Sequence, residues 1–349
     1  MRNKILSVSG TFLLLFILAT SGFAQQNITL PDVSQHATVT QEIGLMEIKI
    51  DYHRPGVKGR QIWGALVPYD QVWRAGANQN TTISFSNDVI IDGKNIPAGI
   101  YGLHMIPTET EWTIILSKDY RAWGSFSYNE ENDLVRFKVT PQSSDFQEWL
   151  MYSFDVVTPN SATVSLRWDK LKIPFEIRID LNKQIIDDIK IQLTGLPKFF
   201  WQGWNQAANY CYVNHYDLEQ GLKWADQSIR INKNLTNTYT KALLLADLGK
   251  EQESAELKNE AFTSASEAEI NNLGYQLLTG GKIDAAIEVF KKNTELFPDS
   301  WNVWDSLAEA YANKGDKQLA IQNYKKALGM APENQQDRIK GALAQLSAG

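Results

Sequence analysis

The densest run of chemically capable residues is Tyr52-His53-Arg54-Pro55-Gly56-Val57-Lys58-Gly59-Arg60, followed by Trp63, Val72-Trp73-Arg74 and Gly76-Ala77-Asn78. Arg54, Lys58, Arg60 and Arg74 place four cations within 21 residues of a chain whose formal net charge is −6. Cations, glycine-exposed backbone amides and flanking aromatics together can cradle a carboxylate, a phosphate or an acidic sugar. The candidate ligand-binding residues are therefore Tyr52, His53, Arg54, Lys58, Arg60, Trp73, Arg74 and Asn78. The competing reading is structural: the arginines pair with acids of their own domain, and proline and glycine shape a long corner. Geometry separates the two, because a site needs Tyr52, Arg54, Arg60, Trp73 and Arg74 to open onto one pocket.

Other chemistry is thin. His53 and His104 could converge with Asp51 or Asp70 as an orienting acid, although a histidine beside an aromatic is more often a packing residue. Cys211 and His215 stand four apart at ligand or dyad spacing, but Cys211 falls on a core slot of a helical repeat. The chain has one cysteine and four histidines, so a disulfide or a cysteine-rich metal cluster is excluded and no cofactor is implied. No Gly-x-Ser-x-Gly elbow, His-Glu-x-x-His helix, P-loop or dinucleotide fingerprint occurs, and no catalytic residue is assigned. The acidic balance argues against nucleic acid as a partner. Among the 11 tryptophans, Trp112 and Trp168 lie in apolar strands and are expected in a core. Trp63, Trp73 and Trp123 adjoin Gly or Arg and are expected as an exposed platform on which a sugar could stack.

The elements that must position these residues fall into two halves. From about Ala37 to Leu181 the apolar residues alternate. Ile48, Ile50 and Tyr52 interleave with Glu47, Lys49 and Asp51, and further runs are TTISF, DVII, IYGLHMI, EWTIIL, LVRFKV, MYSFDVV, ATVSLRW and PFEIRIDL. Turns are expected at Asp92-Gly93, Pro97-Ala98-Gly99, Thr108-Glu109-Thr110, Pro159-Asn160 and Asp169-Lys170. Short strands without helical crossovers predict an all-β antiparallel sandwich or barrel.

After Leu181 the period becomes helical. Asn182 to Lys190 reads as a connecting helix, broken at Gly195-Leu196-Pro197. Trp304, Leu307, Ala308, Tyr311, Ala320, Tyr324, Ala327 and Pro332 then match the tetratricopeptide pattern. Leu273, Gly274, Ala286, Phe290 and Pro298 repeat it 34 residues upstream. Weaker copies occupy 201–234 and 235–266, and Ile339 to Leu346 is expected to close the stack. An all-α tetratricopeptide-like superhelix is thus predicted over 199–349, after a helical linker at 183–198 and a β-domain at 25–182.

Residues 1–24 have the form of a signal peptide: Arg2 and Lys4, the apolar run Phe12 to Ala19, then Gly22 and Ala24 ahead of a cleavage site. The run is far short of the roughly 20 residues that span a bilayer, so no transmembrane anchor is expected after cleavage. The expected location is the periplasm or the extracellular space.

The run DYHRPGVKGRQIWGALVPYDQVWRAGANQNTTISF, with the DGKNIPAGIYGLHMIP and EWTIIL segments, resembles the family called domain of unknown function 2911, found in exported bacterial proteins. The motifs that carry the likeness are Tyr52-x-Arg54-Pro55, Val57 to Arg60 and Val72 to Asn78, within residues 30–180. That family's pairing with C-terminal tetratricopeptide repeats agrees with the second half of this chain. The resemblance implies a domain but no reaction, ligand or catalytic residue. The expectation is an exported, non-enzymatic adaptor that binds a protein or peptide through its helical repeats. The alternative is an envelope enzyme or a binder of a small anionic or sugar ligand at Tyr52–Asn78.

Overall fold

The computed structural model describes residues 30–348. The signal-peptide expectation at 1–24 lies outside the described residues. Ten strands come first: β1 (Gln35–Ile43), β2 (Met46–Arg54), β3 (Thr82–Phe85), β4 (Val89–Ile91), β5 (Lys94–Ile96), β6 (Gly99–Ile106), β7 (Trp112–Ser117), β8 (Asp133–Val139), β9 (Gln142–Thr158) and β10 (Ser161–Arg178). They form two antiparallel sheets, ordered β1-β2-β3-β6-β7-β8 and β5-β4-β10-β9. The alternation seen in sequence is obeyed: Met46, Ile48, Ile50 and Tyr52 are buried while Glu47 and Lys49 face water. Between the sheets lies one continuous apolar core with Ile50, Ile83, Leu103, Ile114, Leu166 and Ile177 at its centre. This is the sandwich expected from the period-two pattern.

Two features depart from the sequence reading. The runs ATVSLRW and PFEIRIDL are parts of one 18-residue strand, β10, and Asp169-Lys170 is a bulge rather than a turn. Asp169 has φ +53°, and the register with β9 shifts on both sides of it. The extra residue bends β10, which pairs with β9 along its first part and reaches β4 at Arg178. Pro174 costs no ladder bond, because pairing with β9 has ended at Lys172. The edge strands β1 and β5 and the first half of β9 carry too few alternating apolar residues to stand out in sequence.

The second half is helical: α1 (Leu181–Gln192), α2 (Trp201–Asn214), α3 (Leu218–Ile231), α4 (Leu235–Asp247), α5 (Glu251–Phe262), α6 (Glu267–Thr279), α7 (Ile283–Leu296), α8 (Trp301–Lys314), α9 (Lys317–Met330) and α10 (Glu333–Ala348). Asp180 caps α1 by accepting from the Lys183 amide, and a 3₁₀ turn at Leu196–Phe199 carries Pro197 where the break is expected. The first helices of successive hairpins begin at 201, 235, 267 and 301, steps of 34, 32 and 34 residues. Asn234 and Ser266 each begin a helix with a reciprocal capping box. Small residues allow the helices to approach. Ala286, Ala308, Ala320 and Ala327 are fully buried, and a Cβ added at Gly274 would lie 2.4 Å from the Phe290 ring. Among the described residues no helix is long and apolar enough to cross a membrane.

Candidate functional site

The cationic segment begins where β2 leaves its sheet and is stitched to the opposite one. Arg54 Nε donates to the Leu150 carbonyl at 2.9 Å. The Leu150 amide donates to the Pro55 carbonyl at 3.0 Å, and the Val57 amide to the Glu148 carbonyl at 2.8 Å. Lys58 and Gly59 then take left-handed backbone, φ +48° and +67°, which reverses the chain. Arg60 closes that turn from within, donating to the carbonyls of Gly56 (2.6 Å) and Val57 (3.1 Å). Further on, the backbone of Trp73 exchanges two 2.8 Å hydrogen bonds with Met105 of β6, and its indole donates to the Gly76 carbonyl at 3.1 Å. Ala75, fully buried at φ +51°, offers its carbonyl to Thr81 and Tyr152. Asn78 donates to the Ser34 carbonyl at 3.2 Å.

Between the 55–60 turn, the 73–78 loop and Ser34 lies a cavity of about 380 Å³. Lys58, Arg60, Trp73, Arg74 and Asn78 line it, with Trp168 also in its wall. Tyr52, His53 and Arg54 are not among its lining residues. Tyr52 is buried in the core, where its hydroxyl accepts from the Tyr152 amide at 3.2 Å. Arg54 is committed to Leu150. His53 stands edge-on to His36 and 3.7 Å from Asp32, and burial, reinforced by His36, pushes its pKa down against Asp32 and Asp51. The shared opening gathers five of the eight expected residues, but of the five required to converge only Arg60, Trp73 and Arg74 do so, and the site as expected, with Tyr52 and Arg54 in it, does not form.

The ion pairs of the structural reading do not form. Among the described residues none of Arg54, Lys58, Arg60 and Arg74 lies within salt-bridge distance of a carboxylate. Arg54 and Arg60 are satisfied by carbonyls, and Lys58 extends over the Trp149 ring at 5.8 Å. Arg74 is different. It is half-buried, its Nε is sealed from solvent without a hydrogen-bond partner, and burial lowers its pKa, although a guanidinium remains charged.

The platform expected from Trp63 and Trp73 is not an exposed one. Both pack into a cluster with Trp112 and Trp168, Trp63 edge-on to Trp112 at 4.8 Å and Trp73 stacked on Trp168 at 6.0 Å. The 62–67 loop folds back on itself, with the Val67 amide donating to the Ile62 carbonyl, and this carries Trp63 inward. Trp123 is 61% exposed, as expected.

His53 and His104 do not converge: β3 separates their strands. His104 is fully enclosed, 3.3 Å from the Asn80 amide nitrogen at Nε2 and 3.0 Å from Ser125 Oγ at Nδ1. Burial pushes its pKa down to about 4, against the pull of Asp133 and Asp119. Both ring nitrogens thus have a hydrogen-bonding neighbour inside the domain. Cys211 is buried, and burial drives its thiol up to about 12. His215 turns instead to Asp247, 2.9 Å away.

A second concavity, about 360 Å³, runs where α2, α4 and α6 lie side by side. Its polar lining is uncharged: Gln202, Asn205, Gln206, Asn209, Thr236, Thr240, Gln276 and Thr279. Asn205 is buried with its Oδ1 unpartnered, and the buried Tyr239 hydroxyl also lacks a partner. Sequence reasoning passed over these residues, whose only signal is the helical spacing of Gln202, Asn205 and Asn209 on one polar face.

Residues 34–177 match the profile of a family described as Protein of unknown function (DUF2911), and residues 302–334 match a tetratricopeptide repeat profile. Both halves of the resemblance read in sequence are met. No curated protein matches the chain. Similar solved structures include MamA 41-end from Desulfovibrio magneticus RS-1, at 16% identity over 42% of this chain and 84% of that one, TM-score 0.25. Another is YrrB, titled a TPR protein with an unusual peptide-binding site, at 17% identity over 44% and 79%, TM-score 0.23.

Proposed function

We propose that this chain is an exported, non-catalytic adaptor whose helical array holds an extended segment of a partner protein in the α2–α4–α6 groove. The supporting observation is the uncharged lining, above all the buried Asn205 carbonyl without a donor. Amide side chains both donate and accept, and so complement a peptide backbone, which offers one N–H and one C=O per residue. A groove that selected a terminal carboxylate or an acidic segment would present cations here. The β-domain, by its stitched loop and separate core, is proposed as an independent unit ahead of the array, and the pattern at residues 1–24 supports export.

The test is selection of phage-displayed linear peptides on the full chain, then titration of the selected peptides with the Asn209→Ala/Gln276→Ala double variant. Both side chains are exposed, so folding is unaffected. Each lost hydrogen bond costs about 0.5–1.5 kcal/mol, and affinity should fall between about fivefold and about 150-fold. Failure of the parent chain to select any peptide, or unchanged affinity in the variant, refutes the assignment.

A further inference from the structure

We infer that the cavity lined by Lys58, Arg60, Arg74, Asn78, Trp73 and Trp168 is a binding site for a small oxyanion, a carboxylate or phosphate carried on a body about the size of a hexose. This goes beyond the adaptor reading and does not depend on it.

The first observation is the sign of the lining. Three cationic residues line the cavity and no acidic residue does. Glu148, beside the turn, directs one oxygen to the Lys58 backbone amide at 3.0 Å. The second is a set of unused donors. Arg74 Nε is sealed from solvent with nothing to accept its hydrogen, and so is the indole N–H of Trp168, a residue 1% exposed in the same wall. Both orphans are donors. A buried donor left unmade costs free energy, and a half-buried unpaired cation costs more. An ionised oxyanion in the cavity supplies the counter-charge that Arg74 lacks.

The third observation is rigidity and size. Arg60 is pinned by the Gly56 and Val57 carbonyls, the turn that carries Lys58 is tied to β9, and Trp73 is fixed to β6. The volume of about 380 Å³ equals roughly a dozen waters at ~30 Å³ each, far more than a bare phosphate fills. The partly exposed edge of Trp73 beside the cations adds apolar wall for the body of such a ligand.

The experiment is tryptophan fluorescence and calorimetric titration of the full chain with glucuronate, glucose 6-phosphate and glucose, repeated with Arg74→Met. Saturable binding of glucuronate identifies a carboxylate, and of glucose 6-phosphate a phosphate. Either supports the site provided that Arg74→Met lowers affinity by about tenfold or more and glucose binds at least tenfold more weakly. Without ligand, Arg74→Met should melt at the same or a higher temperature, because it removes an unpaired cation from a half-buried position. Binding of neither anion, equal binding of glucose, or a lower melting temperature for the unliganded variant overturns the inference. None of these outcomes bears on the α2–α4–α6 groove, so the two readings fail separately.

Discussion

Gly274 allows two opposing effects to be weighed against each other. It lies within α6 and is buried. Substituting alanine in a helix interior favours folding by about 1 kcal/mol. At this position, however, the new Cβ would stand 2.4, 2.6 and 2.8 Å from three atoms of the Phe290 ring, and Phe290 is itself fully buried in α7. The ring can retreat only by pushing α7 away or leaving its rotamer, and overpacking of that kind costs about 1–3 kcal/mol. The clash offsets or outweighs the propensity, and Gly274→Ala should destabilise the array by up to about 2 kcal/mol. Gly341 supplies the control: it is an exposed interior position of α10 with nothing within 4 Å of the added atom. There alanine should stabilise, by up to about 1 kcal/mol. Urea unfolding of the full chain, followed by helical circular dichroism, reads both. In a Phe290→Leu background the cost at position 274 should vanish. An unchanged effect in that background, or a Gly274→Ala chain stabilised as much as Gly341→Ala, would refute the packing argument.

Two further outcomes follow from buried titratable groups. His104 has its pKa lowered from 6.5 to about 4 by burial, so between those values the unfolded chain binds the extra proton. Its contribution of about 3 kcal/mol is complete above pH 6.5 and is lost as pH falls towards 4. Urea midpoints at pH 7 and pH 4.5 should therefore converge in His104→Gln relative to the parent, and parallel shifts in the two chains would contradict the assignment. Cys211, buried with its thiol pushed up to about 12, should resist iodoacetamide at pH 8 in the native chain and react at once in urea. Labelling of the native chain at the unfolded rate would show an accessible thiol.

The helical half was the more legible because its information is local. Trp304, Leu307, Ala308, Tyr311 and Ala320 sit within one hairpin, and their spacing alone implies two antiparallel helices in close contact. The repeat starts at 201, 235, 267 and 301 follow from it. The β-domain depends on distant partners. Asp169 has the left-handed backbone of a turn residue, and only its pairing with β9 reveals a bulge. The same limit governs the candidate site. Composition marked the 52–78 segment, and five of its eight residues share the cavity, but the direction taken by Arg54 is set by Leu150, 96 positions away. Trp63 was misplaced for a related reason, since its aromatic neighbours Trp112 and Trp168 come from two other strands. The groove residues Asn205, Asn209 and Gln276 look like any polar helix face until α2, α4 and α6 are stacked.

The stitching of residues 54–57 to β9 reaches beyond the local turn. Arg54, Pro55 and Val57 each share a hydrogen bond with the strand segment Glu148–Leu150, so the rim of the cavity is simultaneously a hinge pin joining both sheets. Breathing of that rim and parting of the sandwich become one event rather than two. A visitor to this pocket meets a vestibule whose walls are already set, and its entry costs little ordering of the host.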